Sequence, residues 1–222
     1  MIKLKAPRIY HLPWSEVLSA DDKRIRHNNM FDGKDVVVTV KVDGSNISLY
    51  NDGTFHSKSI QSSRQHDSND YLHRWWANKL YTDNYMLLHN KWPNLRLVGE
   101  NMYMTHTINY NNLEDVFLLH SAWNGTTCLS WEDTLNICFI LNITPVPVLY
   151  KGIYDETKVK SFNTLDKYRD DIVEGYVVRN NNEYQYNDSN FNIAKFVSSR
   201  FVIKSDKHWA LNGLRRNNVR VV

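Results

Sequence analysis

The chain has 222 residues, of which 42% are hydrophobic and 23% charged, and its formal net charge is +3. This composition is typical of a folded protein and excludes a disordered chain. No apolar run approaches the roughly 18 residues that a membrane-spanning helix needs. The two cysteines, Cys128 and Cys138, are too few for a disulfide framework or a cysteine-rich zinc site. We therefore expect a cytoplasmic protein with no membrane contact.

Sequence patterns predict the elements in chain order. β-Branched residues indicate a strand at Asp35–Val42, and the turn Asn51-Asp52-Gly53 predicts a hairpin. Ser130 is predicted to cap a helix, because two acids follow it in the first turn. The other predicted strands are 45–50, 54–59, 95–100, 116–123, 145–150, 175–179 and 193–197, and the predicted helices are 67–88, 130–141 and 159–168. The pattern predicts an α+β fold with largely antiparallel strands and helices added between hairpins.

Positive charge is concentrated near the C-terminus. Residues 195–222 contain seven Lys or Arg and one Asp, a net charge of +6. No long Gly/Pro/Ser linker interrupts the chain, so we expect one domain over 1–222 with a basic C-terminal tail from about residue 198. A basic segment on a near-neutral body can bind phosphates, although a solvated surface explains the same charge equally well.

The segment Lys41-Val-Asp43-Gly44 is the first candidate for chemistry. It places a lysine at the end of an apolar strand, directly before a tight turn. A lysine amine attacks an electrophile only when it is neutral, which requires burial or neighbouring cations. The alternative, more frequent for so short a pattern, is a strand-end lysine whose ammonium group reaches water.

Three further charged residues lie in or beside predicted strands. Glu100 closes the strand 95–100 and Glu174 precedes the strand 175–179. These carboxylates could line one cleft, one holding a sugar hydroxyl and the other a divalent cation, or they could simply belong to turns. Lys195 lies within an apolar strand, so its side chain needs an anionic partner, either a phosphate or a carboxylate.

Five short motifs follow one another along the chain: KVDG at 41–44, LVGE at 97–100, VFLLH at 116–120, EGYVVR at 174–179 and AKFV at 194–197. In this order and spacing they resemble motifs I, III, IIIa, IV and V of the covalent nucleotidyltransferase superfamily of polynucleotide ligases and capping guanylyltransferases. The segment HLPWS at 11–15, followed by Asp21-Asp22, is similar to the small ATP-dependent RNA ligases of bacteria and bacteriophages. The resemblance covers about residues 8 to 210.

The resemblance implies a nucleotidyltransferase core, similar to ATP-grasp-like ligases, without a C-terminal OB domain. Lys41 matches the nucleophile that takes AMP from ATP, and Asp43 and Gly44 complete its motif. The remaining matches are Glu100 to the carboxylate that contacts the ribose, Phe117 to the aromatic residue that stacks on the base, Glu174 to the acid linked to the divalent metal, and Lys195 to the lysine that contacts the α-phosphate.

Three positions depart from the family pattern. Val40 stands where many RNA ligases have Glu, which removes one expected adenine contact. Lys58 stands where Arg is usual, and lysine lacks the planar fork that grips a phosphate with two bonds; Arg64 could substitute for it. Val197 replaces a second lysine. The spread of Lys195, Arg200 and Lys204 along the tail could supply that charge.

The resemblance implies an RNA repair enzyme that joins 5′-phosphate and 3′-hydroxyl RNA ends through a lysyl-AMP intermediate and an RNA-adenylate. Its cofactors would be ATP and Mg²⁺ or Mn²⁺, its partner RNA, and its setting the cytoplasm of a bacterium or of a phage-infected cell, as a monomer. The residues expected to contact RNA are Lys58, Arg64, Arg200, Lys204, Lys207, Arg215 and Arg216.

Two alternatives remain open at this point. A capping-type guanylyltransferase or a DNA ligase shares the same core, but both usually depend on an OB-fold. A catalytically idle nucleic-acid-binding homologue would keep the fold without the reaction. The presence of Lys41, Glu100, Glu174 and Lys195 argues against the idle homologue.

Overall fold

Two β-sheets face each other across a cleft in the computed structural model, which describes residues 3–19, 21–26, 28–57, 67–201 and 215–219. The strands in chain order are β1 (Tyr10–His11), β2 (Asp35–Lys41), β3 (Ser45–Tyr50), β4 (Phe55–Ser57), β5 (Leu95–Asn101), β6 (Phe117–Asn124), β7 (Thr127–Cys128), β8 (Thr144–Pro145), β9 (Val148–Ile153), β10 (Lys167–Tyr168), β11 (Asp171–Ile172), β12 (Gly175–Asn180), β13 (Tyr184–Gln185) and β14 (Ile193–Val197).

The helices lie between the strands along the chain. The α-helices are α1 (Asp67–Leu80), α2 (Asp83–Lys91), α3 (Trp131–Leu141) and α4 (Glu156–Ser161), and 3₁₀ helices cover Asn28–Phe31, Phe162–Thr164 and Tyr186–Phe191. Across the described ranges, no helix is both long enough and apolar enough to cross a bilayer.

The first sheet has the strand order β1-β14-β12-β2-β9. Strand β12 lies between β2 and β14 and is antiparallel to both, which places Gly175 opposite Lys41 on one side and Val197 on the other. Strand β1 pairs with β14 in parallel and places His11 opposite Lys195. The register therefore brings four distant parts of the chain to one end of this sheet.

The second sheet has the order β13-β7-β6-β5-β3-β4, with β8 added in parallel to β6. Its other described pairings are antiparallel, and they place Asn46 of β3 opposite Glu100 of β5, which in turn lies opposite Leu118 of β6. Strands β10 and β11 form a separate two-stranded ribbon.

Successive residues of β6 point to opposite faces of the second sheet, as in any strand. Phe117 and Leu119 pack in a buried cluster with residues of α1, α2 and α3. Leu118 belongs to a different cluster, which includes Val37 of the first sheet. The outer face of the first sheet packs against α4 through residues such as Val178 and Val159. One side of each sheet is thus covered by helices, and the other lines the cleft.

The predicted α+β class with mostly antiparallel strands is confirmed, and so is the Ser130 cap, whose hydroxyl accepts a hydrogen bond from Asp133 N at 3.0 Å. Two helix predictions were wrong in their bounds. The helix expected at 67–88 is divided into α1 and α2, because Thr82 is extended and begins a new helix. The helix expected at 159–168 begins at Glu156 and ends at Ser161.

Candidate active site

Lys41 and Glu174 form an ion pair at the end of the first sheet. Their side chains are 25% and 12% exposed. The contact follows from the register, because Glu174 immediately precedes Gly175, which lies opposite Lys41. A lysine that simply reaches water, the alternative interpretation of this segment, does not fit this position.

The ion pair shifts the protonation of both groups. Burial alone would lower the pKa of Lys41, but the adjacent Glu174 together with Glu100 and Asp43 outweighs burial and raises this pKa above its ordinary value. Burial raises the pKa of the Glu174 carboxyl. The pair therefore holds Lys41 in its protonated form, beside a carboxylate that is able to accept its proton.

Glu100 lies on the facing sheet and is 17% exposed. Burial raises its pKa to about 8, against the opposing effect of Lys41. Asn46 Nδ2 donates to Glu100 Oε1 at 3.3 Å and lies 3.0 Å from His120 Nε2. Burial lowers the pKa of His120 to about 4, so this imidazole is neutral at pH 7 and accepts the Asn46 hydrogen bond.

Lys195 reaches the same cluster from β14 and pairs with Asp22, Nζ to Oδ1 at 3.1 Å. The anionic partner that the sequence required is thus a carboxylate. Burial opposes the charge on Lys195 and lowers its pKa. Although burial also disfavours the Asp22 charge, hydrogen bonds from Ser19 and Lys195 hold the pKa of Asp22 below its usual range. His11 Nε2 lies 3.2 Å from Asp22 Oδ2, so this carboxylate is held from several sides.

Asp43 is engaged by a loop, residues 102–113. Its Oδ2 accepts hydrogen bonds from Thr107 N at 2.7 Å and Ile108 N at 2.8 Å, while its own N–H donates to Tyr110 OH at 2.8 Å. The carboxylate of Asp43 therefore fixes this loop beside Lys41. Gly44 is needed because a Cβ there would lie 2.7 Å from Met102 Sδ and 2.9 Å from the Asn101 carbonyl oxygen.

A partly open, largely apolar cavity adjoins this end of β2. Its lining includes Val40 and Val42, which flank Lys41, together with Tyr110, Leu118 and Val173. Val40, at the position where the family pattern has Glu, contributes an apolar wall. The cluster of lysines and carboxylates thus lies next to a surface suited to a flat apolar group.

The RNA ligase family model matches residues 34–197. This match covers well over half of the chain and includes Lys41, Glu100, Glu174 and Lys195. The chain belongs to the RNA ligase family. No curated protein matches the sequence.

The fold is similar to that of Naegleria gruberi RNA ligase. A mutant of that protein with ATP and Mn gives a TM-score of 0.53 at 16% identity, covering 90% of this chain and 63% of that chain. A second mutant, with AMP and Mn, gives 0.52 at 17% identity, covering 92% and 65%. The chain thus spans less than two thirds of the length of either structure, and the two share its fold.

Phe117 does not lie where RNA ligase motif IIIa predicted a base-stacking residue. Its ring is fully buried among helix residues, 5.4 Å from the Trp75 ring between centroids. It fills the space beside Gly99, where a Cβ would lie 2.5 Å from Phe117 Cζ. Its neighbour Leu118 lines the cavity instead. The stacking role predicted for Phe117 therefore requires correction, because the ring belongs to the opposite face of the sheet.

The basic residues predicted to contact RNA divide into two groups. Lys58, Arg64, Lys204 and Lys207 lie outside the described residues. Arg200 is exposed and pairs with Asp166 at 2.5 Å, Arg215 is exposed, and the Arg216 guanidinium lies 4.9 Å from the centre of the Tyr103 ring. Their contact with RNA stays a prediction.

Glu174 is the carboxylate of this cluster that fits a divalent cation. Within the part of the chain that the structure describes, no group of three or more His, Cys, Asp or Glu is arranged to hold a metal. Mg²⁺ and Mn²⁺ favour oxygen ligands, and Mg²⁺ is commonly held by one or two carboxylates together with substrate phosphates and water. The donor set fits that mode of binding.

Several site residues had no predicted role. Asn46 and His120 orient Glu100, Tyr110 binds the backbone of Asp43, and Asp22 pairs with Lys195. Asp22 was part of the N-terminal segment that carried the family resemblance, but nothing in its local sequence connected it with a lysine 173 residues away.

Proposed function

We propose that this protein is an ATP-dependent RNA ligase that joins 5′-phosphate and 3′-hydroxyl RNA ends through an AMP bound to Lys41. The observation that carries the proposal is the burial of Lys41 against Glu174 beside an apolar cavity, with Glu100 and Lys195 in the same cleft. Family membership and the ATP and AMP complexes of Naegleria gruberi RNA ligase support it.

In the first step, neutral Lys41 Nζ attacks the α-phosphorus of ATP. The N–P bond forms as the bond from the α-phosphorus to the bridging oxygen breaks, and pyrophosphate leaves with that electron pair. Glu174 Oε2 first accepts one proton from the Lys41 ammonium group, since the two atoms are already hydrogen-bonded and burial raises the pKa of Glu174. The second proton of this nitrogen passes to solvent as the N–P bond forms, which leaves a neutral phosphoramidate. The protein mainly positions groups for an in-line displacement.

The neighbouring groups provide charge and orientation. Lys195 lies close enough to influence both Lys41 and Glu174, so its ammonium stabilises negative charge on the α-phosphate. Glu100 binds the ribose through a hydroxyl group, and the cavity beside Val40 and Leu118 receives the base. This arrangement assigns the apolar contacts of the base to aliphatic side chains rather than to Phe117.

Glu174 would hold the divalent cation, which supplies neutralisation of the triphosphate charge when bound. The same cluster then serves the later steps. AMP moves from Lys41 to the RNA 5′-phosphate, and the 3′-hydroxyl displaces AMP to form the phosphodiester. Lys195 neutralises the phosphate in each displacement, because all three occur at phosphorus in the same cleft.

Incubation with α-labelled ATP or GTP tests the proposal. Wild type should form a covalent adduct with AMP, and Lys41→Ala should form none but should still seal RNA that carries a preformed 5′-adenylate. Lys151→Ala, a change at an exposed lysine of β9, is the matched control and should label like wild type.

The other outcomes separate the alternatives. Labelling with GMP would support a capping-type guanylyltransferase, and sealing of DNA ends alone would support a DNA ligase. Wild type that forms no adduct would support an idle binding protein. Labelling of Lys41→Ala would show that the nucleophile has been assigned to the wrong residue.

A further inference from the structure

The C-terminal segment 215–219 lies along the loop 102–113 that binds Asp43. Isolated β-bridges join the two at Met104 with Arg216 and at Leu113 with Val219. The main-chain hydrogen bonds between them run from Thr105 N to Arg215 O (2.8 Å), from Asn217 N to Tyr103 O (3.2 Å), from Asn218 N to Tyr110 O (2.9 Å) and from Leu113 N to Asn218 O (3.2 Å). The segment therefore follows most of the length of the loop.

The Asn217 side chain is the centre of this contact and is only 7% exposed. Its amide makes four hydrogen bonds to the loop. Oδ1 accepts from Tyr110 N (2.9 Å) and Thr105 Oγ1 (3.0 Å), and Nδ2 donates to Met102 O (2.8 Å) and Met104 O (3.2 Å). Every donor and acceptor of the amide is thus used, so no other residue of similar size can replace all four bonds.

Hydrogen bonds connect the loop to Asp43, just beyond the end of β2. Tyr110, whose N–H binds Asn217, accepts a hydrogen bond from Asp43 N through its hydroxyl, and the Asp43 carboxylate binds two further loop N–H groups. Asp43 lies two residues from Lys41. Tyr110 also lines the apolar cavity. A continuous set of hydrogen bonds therefore joins Asn217 to the proposed nucleotide site.

We propose that Asn217 is a positioning residue for nucleotide transfer to Lys41, acting through Tyr110 and Asp43. The inference rests on the proposed function. It assigns the segment 215–219 to the nucleotide site, whereas the charge of the tail had predicted a role in holding RNA. Asn217 holds the wall of the cavity, so its loss weakens ATP binding more than it slows the chemical step.

Asn217→Ala and Asn218→Ala form a matched pair of variants. Both remove one amide from adjacent positions, but Asn218 is exposed and its contacts to the loop are made by the main chain. Single-turnover formation of the protein–AMP adduct over a range of ATP concentrations gives the rate constant and the ATP concentration for half-maximal rate separately.

Asn217→Ala should raise the half-maximal ATP concentration by about tenfold, because a buried amide that organises a binding loop is lost, and Asn218→Ala should leave it unchanged. A merely structural role would reduce the amount of active protein and leave the half-maximal concentration as in wild type. That result, or equal behaviour of the two variants, would overturn the inference. Wild type that forms no adduct would instead overturn the proposed function.

Tyr110→Phe is a second variant in case Asn217→Ala does not fold. It keeps the buried ring and removes only the hydroxyl that binds Asp43 N. If the route through Tyr110 is correct, Tyr110→Phe also raises the half-maximal ATP concentration, and the double variant shows less than the sum of the two effects. Unchanged ATP dependence in Tyr110→Phe, or fully additive effects, would contradict the proposed route.

Discussion

Glu100→Gln should stabilise the protein, and increasingly so as the pH rises. The pKa of Glu100 rises from 4.5 to about 8 in the folded protein, mainly because of burial. One pKa unit corresponds to about 1.4 kcal/mol, so the raised pKa of Glu100 lowers the free energy of unfolding at high pH by at most about 5 kcal/mol. Relaxation and water around a side chain that is 17% exposed reduce this value, and we expect about 2–3 kcal/mol.

The direction in which stability changes with pH follows from the number of protons that the folded and unfolded states bind. Between pH 4.5 and about 8 the folded state keeps a proton on Glu100 that the unfolded chain has released. The free energy of unfolding therefore falls as pH rises through this window, and the full loss is present above about pH 8. Gln imitates the protonated form at every pH. The variant and wild type should be equally stable near pH 4, with the variant more stable above pH 8.

Urea denaturation at pH 4.5, 6.5 and 8.5, followed by tryptophan fluorescence, measures this difference. Glu183→Gln, at an exposed position, is the control and should show no pH-dependent difference from wild type. Groups that do not interact with Glu100 titrate alike in both proteins, so their effects cancel. A difference for Glu100→Gln that is constant with pH, or a less stable variant at pH 8.5, would refute burial as the cause.

Two further predictions concern the first sheet. Asp22→Ala should slow adenylylation about tenfold. It should also move the alkaline limb of the pH–rate profile to lower pH, because Asp22 raises the pKa of Lys195. Asp21→Ala is the control, and a profile of Asp22→Ala equal to that of wild type would exclude the role of Asp22. Gly175→Ala should lower the free energy of unfolding by about 1–3 kcal/mol or more, since the new Cβ would lie 2.0 Å from Phe196 O. Gly33→Ala is the control, because it puts the same methyl group into open space at φ +69°. It should lower the free energy of unfolding by only about 1–2 kcal/mol, and urea denaturation midpoints compare the two variants.

Local chemistry made parts of the fold predictable from the sequence. The Ser130 cap and the turn at Asn51-Asp52-Gly53 depend on residues within a few positions of one another, and both appear where expected. The division between α1 and α2 was missed because the apolar spacing of 67–88 continues across Thr82. Thr followed by Asp is itself a signal for a helix start, so this boundary was present in the sequence.

Which residues of β6 face the cleft and which face the helices could not be predicted in the same way. The run Val116–Leu119 is apolar at every position, because one face packs on helices and the other lines the cleft. Alternation identifies the buried face only when the other face is polar. A motif match therefore selected Phe117 by residue type, while the structure places Leu118 on the cleft side, one residue away.

The partners of the candidate site were hidden for a different reason. Lys41 and Glu174 are 133 residues apart, and their contact depends on the register of β2 with β12. The sequence offered no local cation for Glu174, and its cation proved to be Lys41, the proposed nucleophile. The contacts of the C-terminal tail could not be predicted from the sequence either. Its charge predicted attraction for phosphate, but a net charge does not reveal what an uncharged amide binds. The contacts that tie residues 215–219 to the site pass through the Asn217 side chain and the main chain, and neither contributes to the charge.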